Sequence, residues 1–73
     1  MAAYSYFLFG GSPRAPLHFD LDNDANAVAL SICILRDEPR VAQVWIIEDR
    51  EAVAVRVRDP RSEVGLLLEL RER

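Results

Sequence analysis

Three aspartates at alternating positions, Asp20, Asp22 and Asp24, are the densest set of metal-type ligands in the chain. A D-x-D-x-D series opens the calcium loop of an EF-hand, which also needs glycine at its sixth position and glutamate at its twelfth. Ala25 and Ser31 occupy those two positions, so the ligand set is incomplete. Short acidic side chains also accept hydrogen bonds from the free N–H groups at a helix start. We therefore predict helix capping here and no metal site.

Two side chains could support acid–base or nucleophilic catalysis, the single histidine His18 and the single cysteine Cys33. His18 would need a second catalytic group beside it. Cys33 lies between two isoleucines, whereas a reactive thiolate needs a cationic, partly open environment. The glycine-rich residues 10–12 do not match a phosphate loop, because that motif requires a lysine and the chain has none. We expect no catalytic residue, cofactor or metal, and hence a non-enzymatic protein.

A tryptophan and two arginines form the sharpest functional pattern in the sequence. Trp45, Arg56 and Arg58 fall on one face of two predicted strands, where the ring could stack a base and the guanidinium groups could contact phosphates. The net charge of −3 and the nearby Glu63 oppose nucleic-acid binding. Tryptophan and arginine are also enriched at binding hot spots, so Trp45, Ile47 and Arg56 form a candidate protein interface.

The small size of the chain, 73 residues, bears on its assembly. A domain of this length buries only about 60% of its unfolded surface, so an extra source of stability is usual. One cysteine excludes an internal disulfide, and one cysteine with one histidine is too few for a zinc site. We therefore expect a homo-oligomer, with a dimer favoured and a monomer as the alternative.

The first residues do not resemble a targeting segment. Residues 1–9 lack a basic region and lead directly into glycines. The longest apolar run, residues 25–35, is shorter than the roughly 20 residues that cross a bilayer. We expect a cytoplasmic protein without a membrane partner.

The first two elements are predicted to form a β-hairpin. Residues 2–9 have strand length and are rich in aromatic residues, and turn-forming residues 10–13 follow. Leu17, Phe19 and Leu21 alternate with polar residues, as in a half-buried strand.

A helix is predicted over residues 25–35, with caps at residues 22–24 and an end near Glu38, where Pro39 disfavours helical geometry. A buried strand is the alternative for this run, since residues 32–35 alone do not distinguish a strand from a helix. Helical periodicity assigns one apolar face to the chain's own sheet. That face consists of Ala25, Val28, Ala29, Ile32 and Leu35. The opposite face consists of Ala27, Leu30 and Ile34. We expect a second copy of the chain to cover this opposite face.

Residues 41–47 and 51–58 are dense in β-branched and aromatic residues and predict a second hairpin. Asp49 and Arg50 would form a two-residue turn, although they lack the usual glycine, so a longer loop is the alternative.

The two-residue turn also predicts a register for this hairpin. Val44 would lie opposite Val55, and Ile46 would lie opposite Val53, on the face that packs in the core. The other face would consist of Gln43, Trp45, Ile47, Ala52, Ala54, Arg56 and Arg58.

A last strand is predicted after a turn at residues 59–62, which has proline at its second position. Apolar residues occupy every second position from Val64 to Leu70. The turn would set Val57 opposite Val64. A helix over residues 60–73 is the alternative.

Several short features follow one another along residues 4–58. They are an aromatic first strand (Tyr4, Tyr6, Phe7), Phe19-Asp20 before an acidic cap, an alanine-rich helix from Ala25, the segment Asp37-Glu38-Pro39, and Val44-Trp45 before a valine–arginine strand. In these features the chain resembles small bacterial proteins, of proteobacterial type, whose function is unknown. The resemblance implies a cytoplasmic bacterial protein and assigns no site residue.

These patterns predict one α+β domain over residues 1–73, in the order ββαβββ, with one helix packed on an antiparallel sheet. We expect a non-enzymatic domain that self-associates or binds another protein. Its contact surface would be either the helix face of Ala27, Leu30 and Ile34 or the sheet face of Trp45, Ile47 and Arg56. Weak binding of single-stranded nucleic acid is the alternative function.

Overall fold

Five antiparallel strands form one sheet in the order β2-β1-β3-β4-β5, and one helix packs on it. The computed structural model describes residues 1–71. The elements are β1 (Ala2–Phe9), β2 (Leu17–Leu21), α1 (Asp24–Asp37), β3 (Gln43–Glu48), β4 (Glu51–Asp59) and β5 (Ser62–Glu69). This order confirms the predicted α+β class and the strand at the C-terminal end. The last two positions of the predicted 1–73 domain, and of the alternative helix 60–73, lie outside the described residues.

The connection between β2 and β3 places α1 on one face of the sheet. Both strands pair antiparallel with β1, which lies between them, so α1 connects two strands that are parallel to each other. The core lies between helix and sheet, with Tyr6, Val44 and Ile46 fully buried. No element within residues 1–71 covers the opposite face of the sheet.

Polar caps fix the two ends of α1 where the sequence predicts them. Asn23 is the N-cap, and its side-chain oxygen accepts a hydrogen bond from the backbone N–H of Asn26 at 2.9 Å. At the other end the N–H of Glu38 donates to the carbonyl of Ile34 at 3.1 Å, and Pro39 follows.

The helix face on the sheet agrees only in part with the predicted one, since Leu35 is buried and Val28 packs against the core as expected. Its buried residues are Ala27, Ser31, Ile34 and Leu35, whereas Ala25 and Ala29 are exposed. Ala27 and Ile34, expected to contact a second copy, are 0% and 7% exposed in the core of the chain itself. The polar residue Ser31 lies at the centre of the buried face because it is hydrogen-bonded there. A search for apolar residues at helical spacing does not detect such a buried polar position.

The β3–β4 hairpin has the predicted two-residue turn but not the predicted register. Asp49 and Arg50 adopt positive φ angles of 50° and 65°, which gives the turn a twist that matches the strands. A bulge then shifts the pairing between Ile46 and Ile47. A shift of one residue exchanges the two faces of a strand, so the predicted assignment of β4 beyond the bulge is wrong.

The pairs after this bulge define the two faces of the sheet. Val44 pairs with Arg56, and Ile46 pairs with Ala54, on the side of the helix. Trp45 pairs with Val55 on the uncovered side. Trp45 and Arg56, predicted to share a surface, therefore lie on opposite faces.

A second irregularity, at Gly65, moves the β4–β5 register from the predicted one. Val57 pairs with Leu66 rather than Val64, and the two strands shift between Val57 and Asp59. The φ of Gly65 is +72°, and a Cβ there would clash with the carbonyl oxygen of Val57 and lie 3.0 Å from Leu35 Cδ2. Glycine is the residue that fits both the conformation and the space.

We expect Gly65→Ala to lower the free energy of unfolding by about 2 kcal/mol, because it combines left-handed strain with a backbone clash. Gly11→Ala is the matched control, since Gly11 has a similar φ of +73°. The close contact of a Cβ there would be with the Arg40 side chain, at 3.0 Å, and not with backbone. Urea denaturation should show a clearly larger loss for Gly65→Ala. Equal losses would contradict the described contact with Val57.

Candidate functional site

The uncovered side of the sheet is the candidate functional site, and two cross-strand rows build it. One row runs through Phe7, Trp45, Val55 and Leu68, and the next runs through Phe9, Gln43, Val57 and Leu66. Paired residues project to the same side of a sheet, so these side chains form one surface. We call this surface the open face. The open face consists of Phe7, Phe9, Gln43, Trp45, Ile47, Ala52, Val55, Val57, Leu66 and Leu68.

The open face exposes large apolar side chains to solvent. Leu66 and Leu68 are each 56% exposed, and Phe9 is 52% exposed. Trp45 and Ile47 are half-buried. Scattered exposed apolar residues are normal, but a contiguous apolar patch marks an interaction surface.

The open face carries no charged residue, although 29% of the chain is charged. His18 and Asp20 of the edge strand β2 project to the same side of the sheet, because Ser5 pairs with both His18 and Ile47, and they lie at the margin of the open face. A surface that lacks charge can be buried without desolvating ions.

The indole N–H of Trp45 has a hydrogen-bond partner within the open face. Trp45 Nε1–H donates to Gln43 Oε1 at 3.0 Å. The Phe9 ring stands edge-on to Trp45, with ring centroids 6.4 Å apart. Burial of the indole would therefore leave its N–H satisfied, which removes the main cost of covering a tryptophan.

Arg56, a predicted interface residue, is 4% exposed under the helix. Its Nε donates to Ser31 Oγ at 2.8 Å, and one terminal nitrogen donates to the carbonyl of Val64 at 2.7 Å. Burial lowers the pKa of the Arg56 guanidinium. These contacts tie α1 to β4 and β5, so Arg56 is a structural residue and is not available to a partner.

Arg58 also binds within the chain and not at a surface for phosphates. One terminal nitrogen donates to the carbonyls of Leu35 at 2.6 Å and Glu38 at 2.9 Å, and its Nε donates to the carbonyl of Val41 at 2.8 Å. A cation at the carbonyl end of a helix is favourable for the helix dipole. Arg58 therefore caps the C-terminal end of α1.

The three helix residues predicted to form an interface do not present a second apolar surface. Ala27 and Ile34 are in the core, and Leu30 is half-buried against it. The helix surface predicted to contact a second copy is thus packed against the chain's own sheet. Of the predicted sheet interface, Trp45 and Ile47 lie on the uncovered side.

His18 has a neighbour that the sequence did not indicate. Ser5 Oγ lies 3.0 Å from His18 Nδ1 across the β1–β2 pair. A serine beside a histidine is the beginning of a nucleophile and base pair, but catalysis also needs a cleft and donors for a developing oxyanion. Two clefts in the described part of the chain, one beside Arg71 and one beside Gly10, include neither residue.

The aspartate series has its structural role at Asp24, which lies in a polar cluster. Asp24 Oδ1 accepts hydrogen bonds from Tyr4 Oη and from a terminal nitrogen of Arg71, both at 2.6 Å. The other terminal nitrogen of Arg71 donates to Glu48 at 2.7 Å and to Glu51 at 3.1 Å. These bonds raise the pKa of Arg71 and connect the segment after β5 to the first turn of α1. Among residues 1–71 no group of three or more His, Cys, Asp or Glu is arranged to hold a metal ion.

Both tyrosines are expected to ionise at a higher pH than free tyrosine, and the stability of the fold should fall as they ionise. Burial, then the hydrogen bond to Asp24, raises the pKa of Tyr4 from 10.0 to about 12. Burial also raises the pKa of Tyr6, which donates to the carbonyl of Ala27 at 2.7 Å. The neutral form is thus favoured in the folded chain, so this stabilisation is complete below about pH 10 and is lost as the pH rises through about 12.

Absorbance titration tests this expectation. Tyrosinate should form near pH 10 in urea-unfolded chain and only toward pH 12 in folded chain, together with the loss of circular dichroism. Tyr4→Phe should leave one tyrosine to titrate in the same late range. Ionisation of both tyrosines near pH 10 without unfolding would contradict their described burial.

The fold and this surface define a small two-layer α+β protein with one side of its sheet uncovered. No protein-family model, no curated protein and no solved structure matches the chain. No helix among the described residues is long and apolar enough to cross a membrane.

Proposed function

We propose that the protein is a non-enzymatic, cytoplasmic domain that self-associates, and that two copies pair through their open faces. The observation that carries the proposal is the contiguous, uncharged apolar surface around Trp45 and Leu68, in a chain rich in charged residues. Protein interfaces have such an apolar centre with aromatic residues and few charges.

The dimensions of the molecule suit this pairing. The Cα atoms span 31 × 25 × 16 Å, and the short dimension matches a helix stacked on a sheet. The broad side measures 31 × 25 Å between its outermost Cα atoms, which sets the upper limit for a flat contact formed by the sheet. A standard interface takes roughly 800 Å² of accessible surface from each partner. A small chain also gains the buried apolar area that its own core lacks.

A second copy is the partner that the charges favour. Each copy has a net charge of −3, but the open face carries none of the charged residues, so two open faces can meet without like-charge contact. A two-fold pair needs only one such self-complementary surface. A partner with a charged surface would leave its own ions unpaired against this patch.

Nothing in the geometry favours the nucleic-acid alternative. It requires Trp45 and Arg56 on one surface, but the two residues project to opposite sides of the sheet and Arg56 is buried. The open face offers rings for stacking without cations for phosphates.

Size-exclusion chromatography with light scattering tests self-association. We expect a mass of twice 8.3 kDa at about 100 µM chain and a fall toward 8.3 kDa on dilution. A mass of 8.3 kDa throughout that range would refute the proposal.

A further inference from the structure

The relief of the open face bears on how two copies fit together. The smallest side chains of the open face are on β4: Ala52, Val55 and Val57. They lie between the larger side chains of β3 and β5. Val55 is 4% exposed, whereas Leu68 beside it is 56% exposed. The open face therefore has a groove along β4 between a Trp45 ridge and a Leu66–Leu68 ridge.

Two arrangements keep the strands of facing sheets aligned, as in most sheet-on-sheet packings. In the first, the two-fold axis runs across the strands, and each strand lies over its own copy. Ridges then meet ridges, and the groove of each β4 lies over an empty groove. Interfaces and cores are close-packed, so this arrangement is unfavourable.

In the second arrangement the axis runs along the strands, midway between β3 and β4. Trp45 of each copy then lies over the β4 groove of the other, and Leu68 lies over Phe7. Leu66 lies over Phe9 in the neighbouring row. Ridges fill grooves on both sides of the axis.

We propose that the dimer has this second geometry, with Trp45 packed in the partner's β4 groove and Leu66 and Leu68 packed against the partner's Phe9 and Phe7. The inference rests on the proposed function. The geometry centres the contact on β1, β3, β4 and β5 and leaves β2, with Asp20 and His18, at the rim. Polar rims around apolar centres are the usual anatomy of interfaces.

Thiol cross-linking tests this geometry, in a Cys33→Ser background because Cys33 is exposed. Phe7→Cys and Leu68→Cys chains are treated with a short bis-maleimide, singly and after mixing and subunit exchange. The mixture should give several-fold more covalent dimer than either variant alone, because position 68 lies over position 7 of the partner. Two copies of position 7 would be three strand spacings apart, about 14 Å sideways. Phe9→Cys with Leu66→Cys is the second pair, for use if a first variant does not fold by circular dichroism.

The outcomes separate this inference from the proposed function. Strong cross-linking of Leu68→Cys alone would indicate the axis across the strands and overturn the inference, while leaving open-face pairing intact. No cross-linking in either pair, for chains that light scattering shows to be dimers, would place the contact elsewhere. Monomeric chains of the Cys33→Ser parent would refute the proposed function itself.

Discussion

Leu68→Glu is expected to convert the proposed dimer into a folded monomer. Leu68 is 56% exposed in the single chain and lies on a ridge of the open face, so a dimer would bury it against apolar side chains. A carboxylate there must lose its hydration without gaining a partner. We expect the dissociation constant to rise at least about 100-fold, or about 3 kcal/mol, by light scattering across a dilution series.

Leu17→Glu is the matched control for this substitution. Leu17 is 37% exposed on edge strand β2 and pairs with Tyr6 on the helix side, away from the open face. The same leucine-to-glutamate change should leave the dissociation constant within about threefold of the parent. A dimer that tolerates Leu68→Glu but not Leu17→Glu would move the interface to the other side of the sheet.

Arg56→Ala is expected to cause the largest loss of stability among single arginine substitutions. Arg56 donates to Ser31 and Val64 beneath the helix, so its removal leaves the fully buried Ser31 hydroxyl oxygen without this donor and opens space in the core. An unpaired buried acceptor costs about 1–3 kcal/mol, and a cavity adds to it. We expect the free energy of unfolding to fall by about 3 kcal/mol in urea, at one fixed protein concentration.

Two further substitutions show the cause of this loss. Arg61→Ala removes a guanidinium side chain that is 91% exposed and should change stability by less than about 0.5 kcal/mol. Arg56→Met keeps most of the side-chain volume and should recover part of the loss through packing. If Arg56→Ala and Arg61→Ala have the same small effect, Arg56 is at the surface and the register after the β3–β4 bulge is wrong.

The elements of this fold follow from local signals in the sequence. Asparagine and aspartate before residue 25 start the helix, Pro39 accompanies its end, and alternation in residues 17–21 predicts a strand. These signals act within a few residues, where side-chain and backbone hydrogen bonds determine conformation.

The faces of β4 and the pairing of β5 did not follow from the sequence, because single residues decided them. The bulge near Ile46 exchanged the two faces of β4, and Gly65 moved the pairing of β5. A lone glycine in an alternating run is a signal for a bulge, and Gly65 could have been interpreted in this way. The bulge in β4 has no comparable residue, since Ala52 and Val53 both suit a regular strand.

The candidate site was half predicted for the same reason. Trp45 and Ile47 lie on the uncovered side, but a regular hairpin with this turn would place Arg56 with them, and the bulge moves it to the other side. Its buried hydrogen bond to Ser31 joins positions 25 residues apart in sequence, which periodicity does not connect. The pairing of Arg71 with Asp24 also does not follow from local patterns, because the two residues are 47 positions apart in sequence.

The fluorescence of Trp45 is the most direct test of pairing through the open face, because it is the only tryptophan in the chain and lies on that surface. As protein concentration rises through the dissociation constant, its emission should shift to shorter wavelength, and a neutral quencher should reach it less well. Leu68→Glu should show neither change. Emission and quenching that stay constant while light scattering reports dimer formation would contradict the account, since Trp45 would then lie outside the contact.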